Sequence, residues 1–322
     1  MPTLEALLAS RHDVAGVVTQ PDRPSGRGQH PHSSPIKQVA QAHTVPVLQP
    51  ERLRDEPFLA ALRALNADLG VVAAYGKILT DSVLQVPRLG LLNVHASLLP
   101  NYRGAAPIHR AVMAGDTETG VTIMRVVKAL DAGPMVSRVT RPIGPEETSV
   151  EVERDLARLG AEALVKDVDA LSAGTAIETP QDESAATYAH KLQKTDGLID
   201  WSRSAQAIHN QIRGLHPWPH AFSHLDGRRV LLLESRVEDS ATKVAPYRNA
   251  PRDRGAAGNV SVGRDFSRAT PGTIVEAAGD DLCVQTGDGV LRIVRLRMEG
   301  KRSMAPREFL AGHRVATGHS FA

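Results

Sequence analysis

A single cysteine, Cys283, stands in 322 residues. That excludes an internal disulfide and a cysteine-based zinc site, and it suits a reducing compartment. Aromatic residues are scarce at 3%, so rows of stacked rings, the usual platform for single-stranded nucleic acid, are poorly supplied. No apolar run approaches the roughly 20 residues of a membrane-spanning helix. The opening Met1-Pro2-Thr3-Leu4-Glu5 lacks the charged and then apolar pattern of a secretion signal. These absences point to a cytoplasmic protein without a membrane partner. No grouping of His, Cys and carboxylates has ligand spacing, so no metal is expected. A strong net charge is missing too, the formal value being +2. The balance hides an asymmetry, because residues 205–322 carry 17 Lys+Arg against 12 Asp+Glu while the remainder is net negative. A mildly basic C-terminal part is compatible with a phosphate-rich RNA partner, and equally with an ordinary solvated surface.

What is present, 42% hydrophobic and 23% charged residues, is enough for two domains with cores of their own. The first half alternates helix and strand: a helix at 3–9, a strand at 14–19, a helix at 35–43, a strand at 45–48, a helix at 56–65 and a strand at 69–74. Short apolar strands separated by helices of this length predict parallel βαβ units. The loop from Gln20 to Ser34 is so rich in Pro, Gly, Ser and Arg that it reads as irregular. In doubly wound sheets ligands gather at the carboxyl ends of the strands. Tyr75-Gly76, Asn93 with His95, and Asp131 each follow an apolar run, which brings them to one edge. Asn93 and His95 are two residues apart and share a strand face.

An amide beside an imidazole suits acyl-type transfer, since the amide N–H binds a developing oxyanion and the imidazole relays a proton near neutral pH. Asp131 is placed to hold His95 in one tautomer and to favour its cation. Taken alone, an Asn-x-His pair is more often a polar strand end bonded to the backbone.

From 149 to about 171 the pattern is a long helix with a core stripe of Leu156, Leu159, Leu164 and Val168 opposite a solvated face. A polar link covers 174–187, and a further helix spans 204–213. Beyond Trp218 short strands alternate with turns, two of them Asp-Gly, which argues hairpins and a small barrel or sandwich. Residues 238–269, rich in Ser, Ala, Gly, Asn and Arg, read as an unstructured insertion, and a last helix lies near 306–313. Arg295 and Arg297 share a strand face and Lys301-Arg302 follow, making the best basic patch. With so few aromatics that patch suits the phosphates of a duplex stem.

These residues arrive inside a longer pattern. Asn93-Val94-His95-Ala96-Ser97-Leu98-Leu99-Pro100, then Arg103-Gly104-Ala105-Ala106-Pro107, Gly120-Val121-Thr122-Ile123-Met124 and Leu130-Asp131-Ala132-Gly133 closely resemble the folate-dependent formyltransferase family. Pro21-Asp22-Arg23-Pro24, Ala74-Tyr75-Gly76-Lys77, Ile199-Asp200-Trp201-Ser202 and Pro217-Trp218-Pro219 extend the resemblance over nearly the whole chain. It implies an α/β fold: a Rossmann-like catalytic domain with a mostly parallel sheet at 1–184, a helical linker at 185–215, and a small all-β, oligonucleotide-binding-like barrel at 216–322. The implied reaction moves the formyl group of 10-formyltetrahydrofolate to the amino group of methionyl initiator tRNA, in a monomer. Asn93, His95 and Asp131 would be catalytic, with His95 protonated. Ser97, Leu98, Leu99, Pro100, Tyr75 and Gly76 would contact the folate. Arg23 and Arg27 would touch the tRNA from a substrate loop, and Arg295, Arg297, Lys301 and Arg302 from the barrel. The family begins with a glycine-containing strand upstream of the equivalent of Thr3; without it, a domain of this length is expected to be destabilised or inactive. Two alternatives remain at this stage: a relative with the same donor and a different amine acceptor, and a non-catalytic RNA-binding module.

Overall fold

The computed structural model describes residues 1–25, 30–238 and 269–322, with the backbone alone at 23–25 and 30–32. Arg27 and nearly all of the expected insertion at 238–269 therefore lie outside the described residues. The chain divides into two compact units, one of residues 1–111, 116–145 and 150–191, the other of 112–115, 146–149 and 192–322.

The chain runs through α1 (Pro2–Leu8), β1 (Val17–Val18), β2 (Arg23–Ser25), β3 (His30–His32), α2 (Pro35–Ala42), β4 (Val47–Leu48), α3 (Glu56–Ala64), β5 (Gly70–Val72) and α4 (Asp81–Leu84). It continues through β6 (Leu91–His95), β7 (Arg103–Gly104), α5 (Pro107–Ala114), β8 (Glu118–Arg125), β9 (Met135–Pro142), α6 (Ser149–Ser172) and β10 (Tyr188–Ala189). Local chemistry sets several starts. Ser34 caps α2 by accepting from the Lys37 N–H, and Pro35 occupies the first turn, where its missing N–H costs nothing.

The expected parallel sheet is only partly realised. β5 and β6 are parallel, but β8 runs antiparallel to both β6 and β9, so the four-stranded sheet β5-β6-β8-β9 is mixed. β1 and β4 form a separate parallel pair. Leu92, Ile123, Met124, Leu156 and Leu164 are fully buried in this unit. The loop read as irregular contains an antiparallel pairing of β2 with β3. Its base is tied by Lys37, whose ammonium donates to Asp22 at 2.5 Å and to Gln49 at 2.8 Å.

The second unit contains α7 (Ala205–Gly214), β11 (Ala221–Leu225), β12 (Arg228–Glu238), β13 (Ile274–Ala278), β14 (Asp281–Gln285), β15 (Val290–Met298) and α8 (Pro306–Gly312). Its five strands form one antiparallel sheet in the order β11-β12-β15-β14-β13. Of the stretch expected as a linker, 185–191 belongs to the first unit and the rest to this one, where Ile199, Trp201, Ala205, Ile208 and Ile212 pack with Val230, Leu232, Leu282, Ile293 and Phe309.

The two edge strands are joined by the C-terminal residues. His224 N–H donates to the Ala322 carbonyl and Ala322 N–H returns the bond. On the other side Ile274 N–H donates to His319 O, and Phe321 N–H to Gly272 O. The tail so closes the sheet into a small barrel, and Phe321 packs against Trp201 at 5.4 Å. Deleting residues 319–322 is expected to cost about 3–5 kcal/mol, the scale of losing a buried Phe, and to lower the melting temperature by about 10 °C or more. An unchanged thermal melt by circular dichroism would contradict this closure.

Candidate active site

β6 is hydrogen-bonded on both sides, to β5 and to β8, so the backbone that carries Asn93 and His95 is fixed. His95 is 5% exposed. Its Nε2 lies 3.0 Å from the Tyr102 carbonyl oxygen. A carbonyl only accepts, so the proton of the neutral ring sits on Nε2. Nδ1 then presents its lone pair 3.6 Å from Asp131 Oδ2. Burial pushes the His95 pKa below its ordinary value of 6.5, and the Asp131 charge and the Tyr102 carbonyl pull it back only in part. The expected protonated His95 is thus corrected to a neutral imidazole with a free Nδ1 beside a carboxylate. That is the state of a base, and the carboxylate favours the cation formed once a proton arrives.

Asp131 is held from several directions. The Gly104 N–H donates to its Oδ2 at 2.8 Å. Gln181 Nε2 donates to the carbonyls of Asp131 and Gly133, each at 2.8 Å. Gln181 is itself gripped by Arg103, whose Nη2 donates to Oε1 at 2.7 Å. The same guanidinium makes two 2.9 Å bonds to Glu183. Arg103 is 2% exposed, and its strand β7 is fixed by pairing with β10. Sequence reasoning missed Gln181 and Glu183, which lie in a link with no periodicity. Arg103 stood inside the recognised Arg-Gly-Ala-Ala-Pro stretch, but its role depends on partners about 80 residues away in sequence.

Two motif glycines now have physical reasons. A Cβ on Gly133 would sit 1.9 Å from the Arg125 carbonyl oxygen, and one on Gly104 2.9 Å from that of Ala189. Asp131 between them has φ 47°, a left-handed conformation that Asp tolerates better than most residues.

The Asn93 carboxamide is half-buried and has no hydrogen-bond partner among the described residues. Ser97 Oγ donates to the Asn101 carbonyl at 2.6 Å. Leu99 is fully buried against Met124 and Met135, so its side chain offers no surface to a ring; in this turn Leu98 and Pro100 are the partly exposed ones. Tyr75 packs with Phe58, Leu59 and Val83, while Gly76 is exposed at φ 74°. In the second unit the basic patch divides. Arg295 pairs with Glu234 at 3.2 Å and Arg302 with Glu308 at 2.7 Å, whereas Arg297 and Lys301 line one groove. Among the described residues no group of three or more His, Cys, Asp or Glu could hold a metal ion, and no helix is long and apolar enough to cross a membrane.

A free carboxamide, a buried neutral imidazole and a clamped carboxylate thus lie together at the C-terminal end of β6. The chain matches the family described as formyl transferase over residues 2–168 and the formyl transferase C-terminal domain over 191–314. It is 46% identical over 302 residues to the methionyl-tRNA formyltransferase of Ectopseudomonas mendocina, covering 94% of this chain and 88% of that protein. With the enzyme of that name from Heliobacterium modesticaldum it shares 41% over 321 residues, covering 100% and 96%. The chain belongs to the family of the methionyl-tRNA formyltransferases. Its fold is shared with the N-formyltransferase of Helicobacter canadensis, solved with folinic acid and dTDP-3-aminofucose (TM-score 0.61, 15% identity, 90% of this chain and 93% of that one). HypX from Aquifex aeolicus, solved with tetrahydrofolic acid, has the same fold over 92% of this chain and 46% of its own (TM-score 0.59, 16% identity).

Proposed function

We infer that the chain transfers a formyl group from a formyl-folate donor, 10-formyltetrahydrofolate, to the amino group of methionyl initiator tRNA. The observation that carries this reading is the approach of the buried His95 Nδ1 to Asp131 Oδ2 at 3.6 Å, on the strand that also presents the free Asn93 amide. The site suits such a donor, because an unpartnered carboxamide stands ready for the carbonyl oxygen of the formyl group. The folate supplies an activated formyl carbon. As the amine attacks, Asn93 donates to the oxygen that becomes negative, a contribution of about 10²–10³ in rate. His95 Nδ1 takes the proton that the amine sheds, and Asp131 stabilises the imidazolium until the proton passes to the departing folate nitrogen. Leu98, Pro100 and the backbone near Gly76 supply the folate contact surface. The barrel, which we read as oligonucleotide-binding-like, contacts the tRNA, and the reaction belongs in the cytoplasm, where initiator tRNA is used.

The test is an assay with isotopically labelled formyl donor offered to charged initiator tRNA and, separately, to a sugar-nucleotide amine and glycinamide ribonucleotide. Label on the methionine of the tRNA is the expected result. Label on the small amines alone would overturn the acceptor while leaving the donor chemistry in place.

A further inference from the structure

The two tryptophans of the chain have opposite surroundings. Trp201 is buried in the barrel core and donates its Nε1–H to Ser223 Oγ at 2.9 Å. Trp218, in the Pro217-Trp218-Pro219 turn after α7, is 48% exposed. Leaving so large an apolar ring in water forfeits burial energy that most tryptophans gain. It borders a shallow groove of about 350 Å³ within the second unit, lined also by Lys194, Arg229, Leu231, Arg297 and Lys301, with Glu299 the one carboxylate. That volume is at the small end of ligand clefts, which span roughly 300–1,000 Å³.

The cations of the groove are not equivalent. The Arg229 guanidinium lies 3.8 Å over the Phe222 ring, and it approaches Glu299 at 4.0 Å. Its buried Nε has no hydrogen-bond partner among the described residues. Lys194, Arg297 and Lys301 have no ion-pair partner among the described residues, in contrast to Arg295 and Arg302 outside the groove. Leu231 faces Arg297 across the β12–β15 ladder, so the cation and the apolar wall are held by one sheet register. A duplex backbone needs a row of cations and no ring. Three unneutralised cations around one exposed indole fit a single unstacked base with a phosphate on either side.

We propose that this groove binds one unpaired nucleotide of the RNA substrate, its base stacked on Trp218 and its flanking phosphates held by Lys194, Arg297 and Lys301. The proposal rests on the reading of tRNA as substrate and sharpens it: the barrel reads one splayed nucleotide as well as backbone charge. Trp218 also reports on its own occupancy, since Trp201 is shielded and supplies a constant background.

The experiment is a titration of the full chain, followed by tryptophan emission, with initiator tRNA, a single-stranded RNA oligonucleotide and a blunt RNA duplex of the same length. The tRNA and the single strand are expected to quench, and the duplex is not. Trp218→Ala is expected to weaken tRNA binding about tenfold or more, the scale of one stacked base, with an unchanged melting temperature. Trp218→Phe should recover most of the loss, which a merely structural role would not predict. Equal quenching by the duplex would overturn the proposal. So would wild-type affinity in Trp218→Ala while Arg297→Ala and Lys301→Ala bind weakly; that result leaves the tRNA reading standing on phosphate contacts. Failure of the wild-type chain to bind any tRNA would remove the substrate reading itself.

Discussion

Replacing His95 with alanine is expected to lower kcat for formyl transfer by about 10²–10⁴-fold, the range of a positioned acid–base group, while KM for the tRNA stays near the wild-type value. His95 offers one free ring nitrogen, Nδ1, and that nitrogen faces Asp131; the other is engaged by the Tyr102 carbonyl. Among the described residues no other imidazole pairs with Asp131. The variant keeps its sheet pairing, since β6 is held by backbone bonds on both sides, and a stability loss of about 1–3 kcal/mol is expected from the orphaned carbonyl and the small cavity. Steady-state kinetics beside a thermal melt checks both halves. A folded His95→Ala variant with kcat within threefold of wild type would remove His95 from the mechanism.

Gly133→Ala should be nearly as damaging, although it touches no substrate. Its new methyl would meet the Arg125 carbonyl oxygen at 1.9 Å, a backbone atom at the end of β8 that cannot rotate away. Either β8 or the 131–133 loop must shift, and the loop is the weaker of the two, being held by Gln181 and the Gly104 N–H. A displacement of Asp131 by about 1 Å is enough to cost roughly 10² in rate. The expected result is a drop of that size in kcat, together with a lowered melting temperature. Full activity would mean that Asp131 does not need its present position.

The parts legible in the sequence were those governed by local rules. The Ser34-Pro35 start of α2, the βα alternation up to β5 and the hairpins around Asp-Gly turns are all short-range signals. Strand period puts Asn93 and His95 on one face, but they were singled out because they stand inside the longer Asn-x-His-x-Ser-Leu-Leu-Pro pattern of the resemblance. Strand direction is different. β8 is buried along six consecutive residues, and such a run looks the same whether its neighbours are parallel or antiparallel. The C-terminal closure was invisible for a related reason, since Ser320 and Phe321 form isolated bridges to Thr273 and Leu225 and show no periodicity. The Arg103–Gln181–Asp131 chain joins segments that nothing local connects. The protonation state of His95 could not be read either: the neighbouring carboxylate suggested a cation, and burial, a property of the folded unit, outweighs it.

In the proposed reaction a neutral, buried His95 accepts the proton of the attacking amine with Asp131 at its side. The most direct measurement is the single-turnover formylation rate of methionyl initiator tRNA as a function of pH, for the wild type and for Asp131→Asn. A histidine whose pKa is lowered from 6.5 is mostly neutral at that pH, so the limb set by His95 should have its midpoint below 6.5, apart from the limb of the attacking amine, an α-amino group of ordinary pKa about 7.7–8.0 that titrates alike with both proteins. Asp131→Asn removes the charge that pulls the pKa upward, so the acid limb should move lower still while the plateau drops by about 10². A His95 limb, the one that differs between the two proteins, with its midpoint at or above pH 6.5 in the wild type, or one that moves upward in Asp131→Asn, would contradict this account.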